Sequence, residues 1–411
     1  MTAETVVIGG GAIGLALARD LRLRGKSVTM IERDPEGFNA SCGNAGGFGV
    51  TEVLPLEMTN LLRNLPRWLL DPLGPVRVGV GHLPSMVPFM AGMAKTMRPG
   101  ERARISRALS ALLSRARADS LPLIESLGLR SQLHERGALW VYETLQAFRA
   151  DETSRNERRA LGIEMQELSA EEARALEPAL GPRVVAGVMT PQWMHMDDPA
   201  EVVRRLRAQV VEQGVDVVTG EATAISGKAV LLADGRKVPF GSEVIVAAGA
   251  WSGQLARSVG DRVVLDSERG YNRTIPGADI GLTREIIFAE RHFVATPMSV
   301  GLRIGGAAEF RGLTGKPDYR RSAALAELAR RYFPGLETTD GTDWMGHRPA
   351  TPDSLPVMGA SARRGDVYYA FGHGHVGLTL AATTATLLAD LVTGRAPDVD
   401  LTPYAISRFS R

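Results

Sequence analysis

The sequence predicts an α/β fold with α+β insertions. A dinucleotide-binding domain is built on a parallel sheet, and a second domain is built on an antiparallel sheet. Three observations predict this. The chain begins strand, glycine loop, helix, strand, acid. A buried strand breaks at a small-residue turn over 243–252. A second glycine loop opens onto an apolar helix at 372–379. Short strands and helices fill the long intervals between them.

The first unit is Thr5-Val6-Val7-Ile8, then Gly9-Gly10-Gly11-Ala12-Ile13-Gly14. An apolar helix follows from Leu15 to Leu23, and a β-branched strand from Ser27 to Ile31 ends on Glu32. This is the Rossmann-like βαβ fingerprint. Gly9 serves the tight turn, Gly11 the approach of a pyrophosphate, and Gly14 the close packing of helix on sheet. The helix N-terminus offers free N–H groups and a positive dipole end. Glu32 stands where a carboxylate accepts hydrogen bonds from ribose hydroxyls. The ligand implied is an adenine dinucleotide.

A chain of 411 residues is too long for one small core, so two domains are expected. The formal net charge is +2, which gives no strong field for nucleic acid. Nearly all the cations are Arg, scattered among acids along helices such as 102–118 and 154–174, which reads as solvated helix faces. With Cys42 alone, no disulfide forms within the chain. The chain enters a core strand within its first residues, so no secretory leader is expected. No apolar run is long enough to span a bilayer. The expected location is cytoplasmic.

Further along, Asn39 to Gly47 is a loop of small residues suited to a flat ligand. Residues 53–99 carry seven prolines among Leu, Met and Trp, which predicts short helices and turns. Leu61, Leu62, Leu65, Trp68, Leu69 and Leu70 beside Arg63 and Arg67 form an apolar face. Packing against the rest of the protein and peripheral contact with the inner face of the cytoplasmic membrane both stay open for it. Glu57, His82 and the Met86–Met97 cluster are candidates for lining a path inward. Helices are expected over 101–127, 145–162 and 169–176, with a strand at 138–142. Asp198 with Pro199 starts a helix that Gly214 closes, and 215–218 is a third parallel strand. Meander strands follow at 222–226, 229–232 and 237–239. Strand-like pieces at 263–265, 285–288, 293–298 and 302–305 precede a helical arm at 319–333.

The C-terminal region reads Trp344-Met345-Gly346-His347-Arg348-Pro349-Ala350-Thr351-Pro352-Asp353-Ser354-Leu355-Pro356-Val357-Met358-Gly359. A strand, Val367-Tyr368-Tyr369-Ala370, leads into Phe371-Gly372-His373-Gly374-His375-Val376-Gly377-Leu378-Thr379. Two dipole-ended glycine loops far apart in the chain suggest a ligand gripped at both ends. Taken with 5–32, 40–47 and 243–252, these motifs resemble the D-amino-acid oxidase-like family of flavoproteins over the whole chain. The loop Ser41 to Gly46, Arg348 to Asp353, and Gly372 to Thr379 look most like bacterial D-amino-acid dehydrogenases. The Pro-Asp-Ser-Leu-Pro stretch with the following His-Gly-His also resembles dehydrogenases of cis-4-hydroxy-D-proline.

The resemblance implies FAD. Gly9, Gly11, Ala12, Ile13 and Gly14 would hold its diphosphate, with Glu32 on the ribose and Arg33 near the adenine or phosphate. Ser41, Asn44, Ala45, Gly46 and Gly47 would line the pyrophosphate and isoalloxazine. Ala222 would offer backbone groups to the adenine, and Ala248 and Gly249 would turn beside it. Gly374, His375, Val376, Gly377, Leu378 and Thr379 would face the flavin pyrimidine. Some relatives attach flavin covalently through a histidine after the first βαβ unit. Gly43-Asn44-Ala45 has none, so non-covalent FAD is expected. The implied domains are 1–50, 196–260 and 340–411 for FAD, and 51–195 and 261–339 for substrate.

The same resemblance makes Arg348 the clamp for a substrate carboxylate, a task suited to the two parallel N–H bonds of guanidinium. Tyr271 is a second candidate for that carboxylate, with a core tyrosine as the alternative. His347, His373 and His375 lie near flavin or substrate. No metal is expected, because His373 and His375 have no further ligands at suitable spacing. The implied reaction oxidises the Cα–N bond of a D-amino or imino acid, D-proline and cis-4-hydroxy-D-proline included, by hydride transfer to flavin. Electrons pass to a quinone or another carrier. An oxygen-using oxidase of glycine, sarcosine or D-amino acids, and a non-catalytic flavin-binding subunit, stay open.

Overall fold

The structure is a computed structural model and describes residues 4–55 and 74–410. Its first sheet has six strands in the order Asp216–Thr219, Val28–Glu32, Thr5–Ile8, Glu243–Val246, Val367–Phe371 and Val357–Ala360. The first five run parallel, and Val357–Ala360 is an antiparallel edge. The central strands are buried on both faces, which is why they read as unbroken Val and Ile.

Helices cover one face. Ala12–Leu23 packs between Pro199–Glu212 and Ala381–Val392. Leu15, Leu17, Leu21, Leu206, Val210 and Leu388 fill that layer. The antiparallel meander Ala222–Ser226, Ala229–Leu232 and Lys237–Pro239 covers the other face through Ile225, Val230 and Leu232. Gly14 is needed for the first helix to come this close. A Cβ there would lie 1.9 Å from the Gly9 carbonyl oxygen. Asp198 caps Pro199–Glu212 by accepting from the Ala200 N–H, as its sequence position predicts.

The second sheet has nine strands. Eight run in the order Thr342–Ala350, Asp266–Pro276, Gly301–Phe310, Phe293–Met298, Glu285–Phe288, Ala138–Tyr142, Ala186–Thr190 and Gln166–Ser169, and Val76–Val78 adds to Gly301–Phe310. Most pairs are antiparallel, as expected. Two are parallel: Glu285–Phe288 with Ala138–Tyr142, and Val76–Val78 with Gly301–Phe310. One face packs on Arg320–Ala329 through Leu325 and Ala326, and on Tyr332 and Phe333 just after that helix. The other face looks toward the parallel sheet.

Several expectations change here. The long strand Asp266–Pro276 replaces the short piece at 263–265. Thr342–Ala350 is its edge partner, so the boundary expected at 340 cuts through the second sheet. Prolines do not fragment 83–96. Leu83–Thr96 is one helix with Pro84 in its first turn and Pro88 inside. An interior proline costs about 3 kcal/mol, whereas burying Met86, Phe89 and Met93 contributes about 1.5–3 kcal/mol each. Packing therefore wins. The apolar face at 61–70 and Glu57 lie outside the described residues. Among the described residues, no helix is long and apolar enough to cross a membrane.

Candidate active site

A cavity of about 1580 Å³ lies between the two sheets. Pockets for drug-sized ligands hold roughly 300–1,000 Å³, so this one has room for an extended dinucleotide and a small substrate together.

At one end the cavity meets Gly9, Gly11, Ala12 and Ile13 at the N-terminus of the first helix. No side chain of the helix's own N-cap residue, Gly11, caps it. The hydroxyl of Ser41 instead accepts from the Ala12 N–H at 3.1 Å, tying the small-residue loop to the helix end. Glu32 closes the turn from the next strand, accepting from the Gly10 N–H and, at 3.1 Å, from the Asp34 N–H. Ala222, Ala248 and Gly249 line the same end. Arg33 also lines it, with its guanidinium 3.6 Å above the Trp251 ring. Of the residues assigned to FAD, Gly14, Gly46 and Thr379 are not in the wall. Gly14 serves packing, Gly46 sits at φ +88° against the Met196 carbonyl, and the buried Thr379 hydroxyl accepts from the Gly49 N–H at 2.9 Å.

The loop Gly43 to Gly47 crosses the second sheet and is held by side chains from it. Asn272 donates to the Gly43 carbonyl at 2.8 Å, and Arg303 to the Asn44 carbonyl at 2.6 Å. Gly47 pairs with His195, whose ring is buried, stacked on His134 and brought down to a pKa of about 3 by burial and then by the His134 and arginine charges. Behind Gly47 stands Glu285, which accepts from Trp193 Nε1 at 3.0 Å. Burial, reinforced by Glu52 and opposed by the Trp193 N–H, pushes its pKa up to about 8. The far wall continues along Trp140, Tyr142 and Arg158.

At the other end, Glu268, Gly270 and Asn272 share one face of Asp266–Pro276, and Arg348 faces them from the edge strand. Arg348 Nη1 donates to Glu268 Oε1 at 2.8 Å. The other Glu268 oxygen is 3.5 Å from His375 Nε2 on the second glycine loop. Burial raises the Glu268 pKa, but the His375 and Arg348 charges outweigh it and bring the carboxyl down to about 2. The Arg348 guanidinium lies against Gly270, where a Cβ would come within 2.4 Å of Cζ. Gly270→Ala is therefore expected to keep cofactor binding and displace the guanidinium. The check is a raised KM at an unaltered flavin content.

Two candidates are corrected. Tyr271 points away from its neighbours Gly270 and Asn272, because strand residues alternate between faces. Its hydroxyl donates to Glu309 at 2.5 Å, accepts from the Asp318 N–H at 3.2 Å, and its ring is fully buried in the second core. Its hydroxyl is engaged there, while the residue itself still borders the cavity. His347 likewise alternates with Arg348. Its Nδ1 pairs with the Ser267 hydroxyl at 2.7 Å and its ring packs edge-on against Trp251. Burial, then the Arg269 and Arg33 charges, lower its pKa to about 4, so it is a neutral wall residue beside Trp251. His373 is buried with Nε2 on Thr384, and His375 turns to Glu268, so the two do not converge. Among the described residues, no group of three or more His, Cys, Asp or Glu side chains could hold a metal ion.

The chain matches, over residues 4–391, the family described as FAD dependent oxidoreductase. The protein belongs to this family. It is 32% identical over 99% of both chains to a D-amino-acid oxidase of Bradyrhizobium diazoefficiens. It is 31% identical to D-amino acid dehydrogenase 2 of Ralstonia nicotianae, over 98% of this chain and all of that one. In fold it is similar to glycine oxidase from Geobacillus kaustophilus, with a TM-score of 0.76 over 99% of each chain at 22% identity. This FAD-dependent oxidoreductase carries residues that fit its cofactor: a helix N-terminus that opens on the cavity, Gly9, Gly11, Gly43, Gly47, Gly374 and Gly377 along the wall, and a volume of about 1580 Å³.

Glu268, Gly270, Asn272, Arg303 and Glu285 were missed in the sequence. A period-2 reading of 266–276 puts Glu268, Gly270 and Asn272 on one face and was the available signal.

Proposed function

We propose that the protein is an FAD-dependent D-amino-acid dehydrogenase that oxidises the Cα–N bond to an imine, which water converts to the 2-oxo acid. One observation carries this: Arg348 lies in the wall of the same cavity as the first helix's N-terminus, with its guanidinium held flat against Gly270. This supports a substrate carboxylate held by Arg348 in the same cavity onto which the first helix opens. The named activities of the two curated relatives support the D-amino-acid reading.

When bound, FAD supplies a two-electron acceptor for the substrate's hydride. The chain's residues do the rest. Arg348 fixes the substrate carboxylate and so the direction of the Cα–H. The loop from Gly374 to Leu378 lines the cavity, and its backbone would face the cofactor's ring and supply positive potential there. Met86, Phe89 and Met90 from Leu83–Thr96 give the cavity an apolar wall that excludes water and suits a ring such as that of D-proline or cis-4-hydroxy-D-proline. We infer non-covalent FAD. No histidine stands in Gly43-Asn44-Ala45, and the Cys42 thiol is buried in the core, where burial raises its pKa.

The test is anaerobic mixing with a panel of D- and L-amino acids, read as flavin bleaching. Reoxidation by a soluble quinone with little peroxide at air saturation supports the dehydrogenase. Rapid stoichiometric peroxide supports the oxidase instead. An FAD-loaded protein bleached by no amino acid supports the non-catalytic subunit.

A further inference from the structure

An arginine alone accepts any carboxylate. Arg348 is not alone. Its Nη1 is bonded at 2.8 Å to Glu268, which is 3% exposed and lines the cavity. The pair is already neutral before a substrate arrives. A ligand that brings only a carboxylate therefore enters beside a buried negative charge, which is unfavourable in a low-dielectric site. A zwitterion does not meet this cost. Its carboxylate takes the free N–H groups of Arg348, and its ammonium takes the charge of Glu268.

The third member is His375. Its Nε2 is 3.5 Å from Glu268 Oε2, and its side chain lines the same cavity. Two residues along the same strand, Asp266 is paired at 2.8 Å with His82, which directly precedes Leu83–Thr96, so that pair is separate from Glu268.

We propose that Glu268 recognises the protonated amine of the substrate. This rests on the amino-acid reading above and adds to it the residue that selects amines. Amine oxidation needs the nitrogen lone pair, and an ammonium held against a carboxylate gives up its proton only at higher pH than a free one. The ligand class is an α-amino or imino acid, with 2-hydroxy acids and simple carboxylates excluded by charge.

The experiment uses the FAD-loaded protein and its Glu268→Gln and His375→Asn variants. Binding of glycolate and lactate is read as perturbation of the flavin spectrum, which needs no turnover. Glu268→Gln is expected to bind both at least about tenfold tighter than wild type, since the like charge is gone. Its Kd for a D-amino acid, from the concentration dependence of anaerobic reduction, is expected to rise about tenfold or more. The reduction rate of bound substrate is expected to rise at lower pH in Glu268→Gln than in wild type, since the carboxylate that stabilises the ammonium is gone. His375→Asn is expected not to tighten glycolate. Unchanged glycolate binding with a superimposable pH profile in Glu268→Gln overturns the proposal. Wild type bleached by no amino acid overturns the amino-acid reading itself, and the glycolate arm still reports whether Glu268 repels anions.

Discussion

Arg348→Ala leaves the protein yellow and stops its reduction by substrate. Removing one partner of a buried, hydrogen-bonded charge pair costs about 2–5 kcal/mol, which is roughly a 30- to 5,000-fold loss in kcat/KM. Two effects add. The substrate loses its carboxylate anchor, and Glu268 loses the bond at 2.8 Å that balances its charge. FAD content is expected to stay at one per chain, because Arg348 takes no part in the Ser41 and Glu32 bonds that shape the diphosphate end. Arg348→Lys is expected to recover only part of the rate, since an ammonium cannot make two parallel bonds. Equal kcat/KM in wild type and Arg348→Ala contradicts the assignment.

The second large effect concerns Glu285. Burial, with Glu52 beside it, lifts its pKa to about 8, against about 4.3 in an unfolded chain. Between those values the folded state binds a proton that the unfolded state has released. Stability therefore falls as pH rises through that window, with a slope of about 1.4 kcal/mol per pH unit. The total is on the order of 4 kcal/mol by pH 8. Buried His195, His347 and His373 have lowered pKa values and act oppositely, costing stability as pH falls below the usual imidazole range. Glu285→Gln removes the acid's contribution alone and keeps an oxygen for Trp193 Nε1. Its melting temperature is expected to exceed that of wild type increasingly from pH 5 to pH 9. Parallel curves for the two proteins contradict the account. The same substitution tests whether Gly47 needs an uncharged neighbour, because a Cβ on Gly47 would lie 2.0 Å from the Glu285 carboxyl.

The nucleotide half was legible because its parts are local. A strand buried on both faces reads as a Val and Ile run, Gly14 marks the contact of helix and turn, and Glu32 stands at a fixed interval. The substrate half was not. Asp266–Pro276 is buried on both sides, yet its residues are polar, so neither an apolar run nor polar–apolar alternation marks it as a strand, and period 2 sorts its faces only once it is known to be one. Its inner face packs Arg269, which donates to the Gly312 carbonyl at 2.7 Å, and Tyr271 on Glu309. Its outer face presents Glu268, Gly270 and Asn272 to the cavity. The edge strand carrying Arg348 contains glycine and proline and reads as a loop until its partner is known. Resemblance supplied Arg348, but it could not separate Arg348 from Tyr271 and His347. Strand alternation does that.

If Arg348 orients a zwitterion in this cavity for hydride loss from one face, the two enantiomers of one amino acid must differ. The most direct measurement is anaerobic addition of the two enantiomers of one amino acid to separate samples of the FAD-loaded protein. The account predicts that the D-enantiomer bleaches the flavin and the L-enantiomer leaves it oxidised. Bleaching by the L-enantiomer, or by glycolate in place of either, contradicts it.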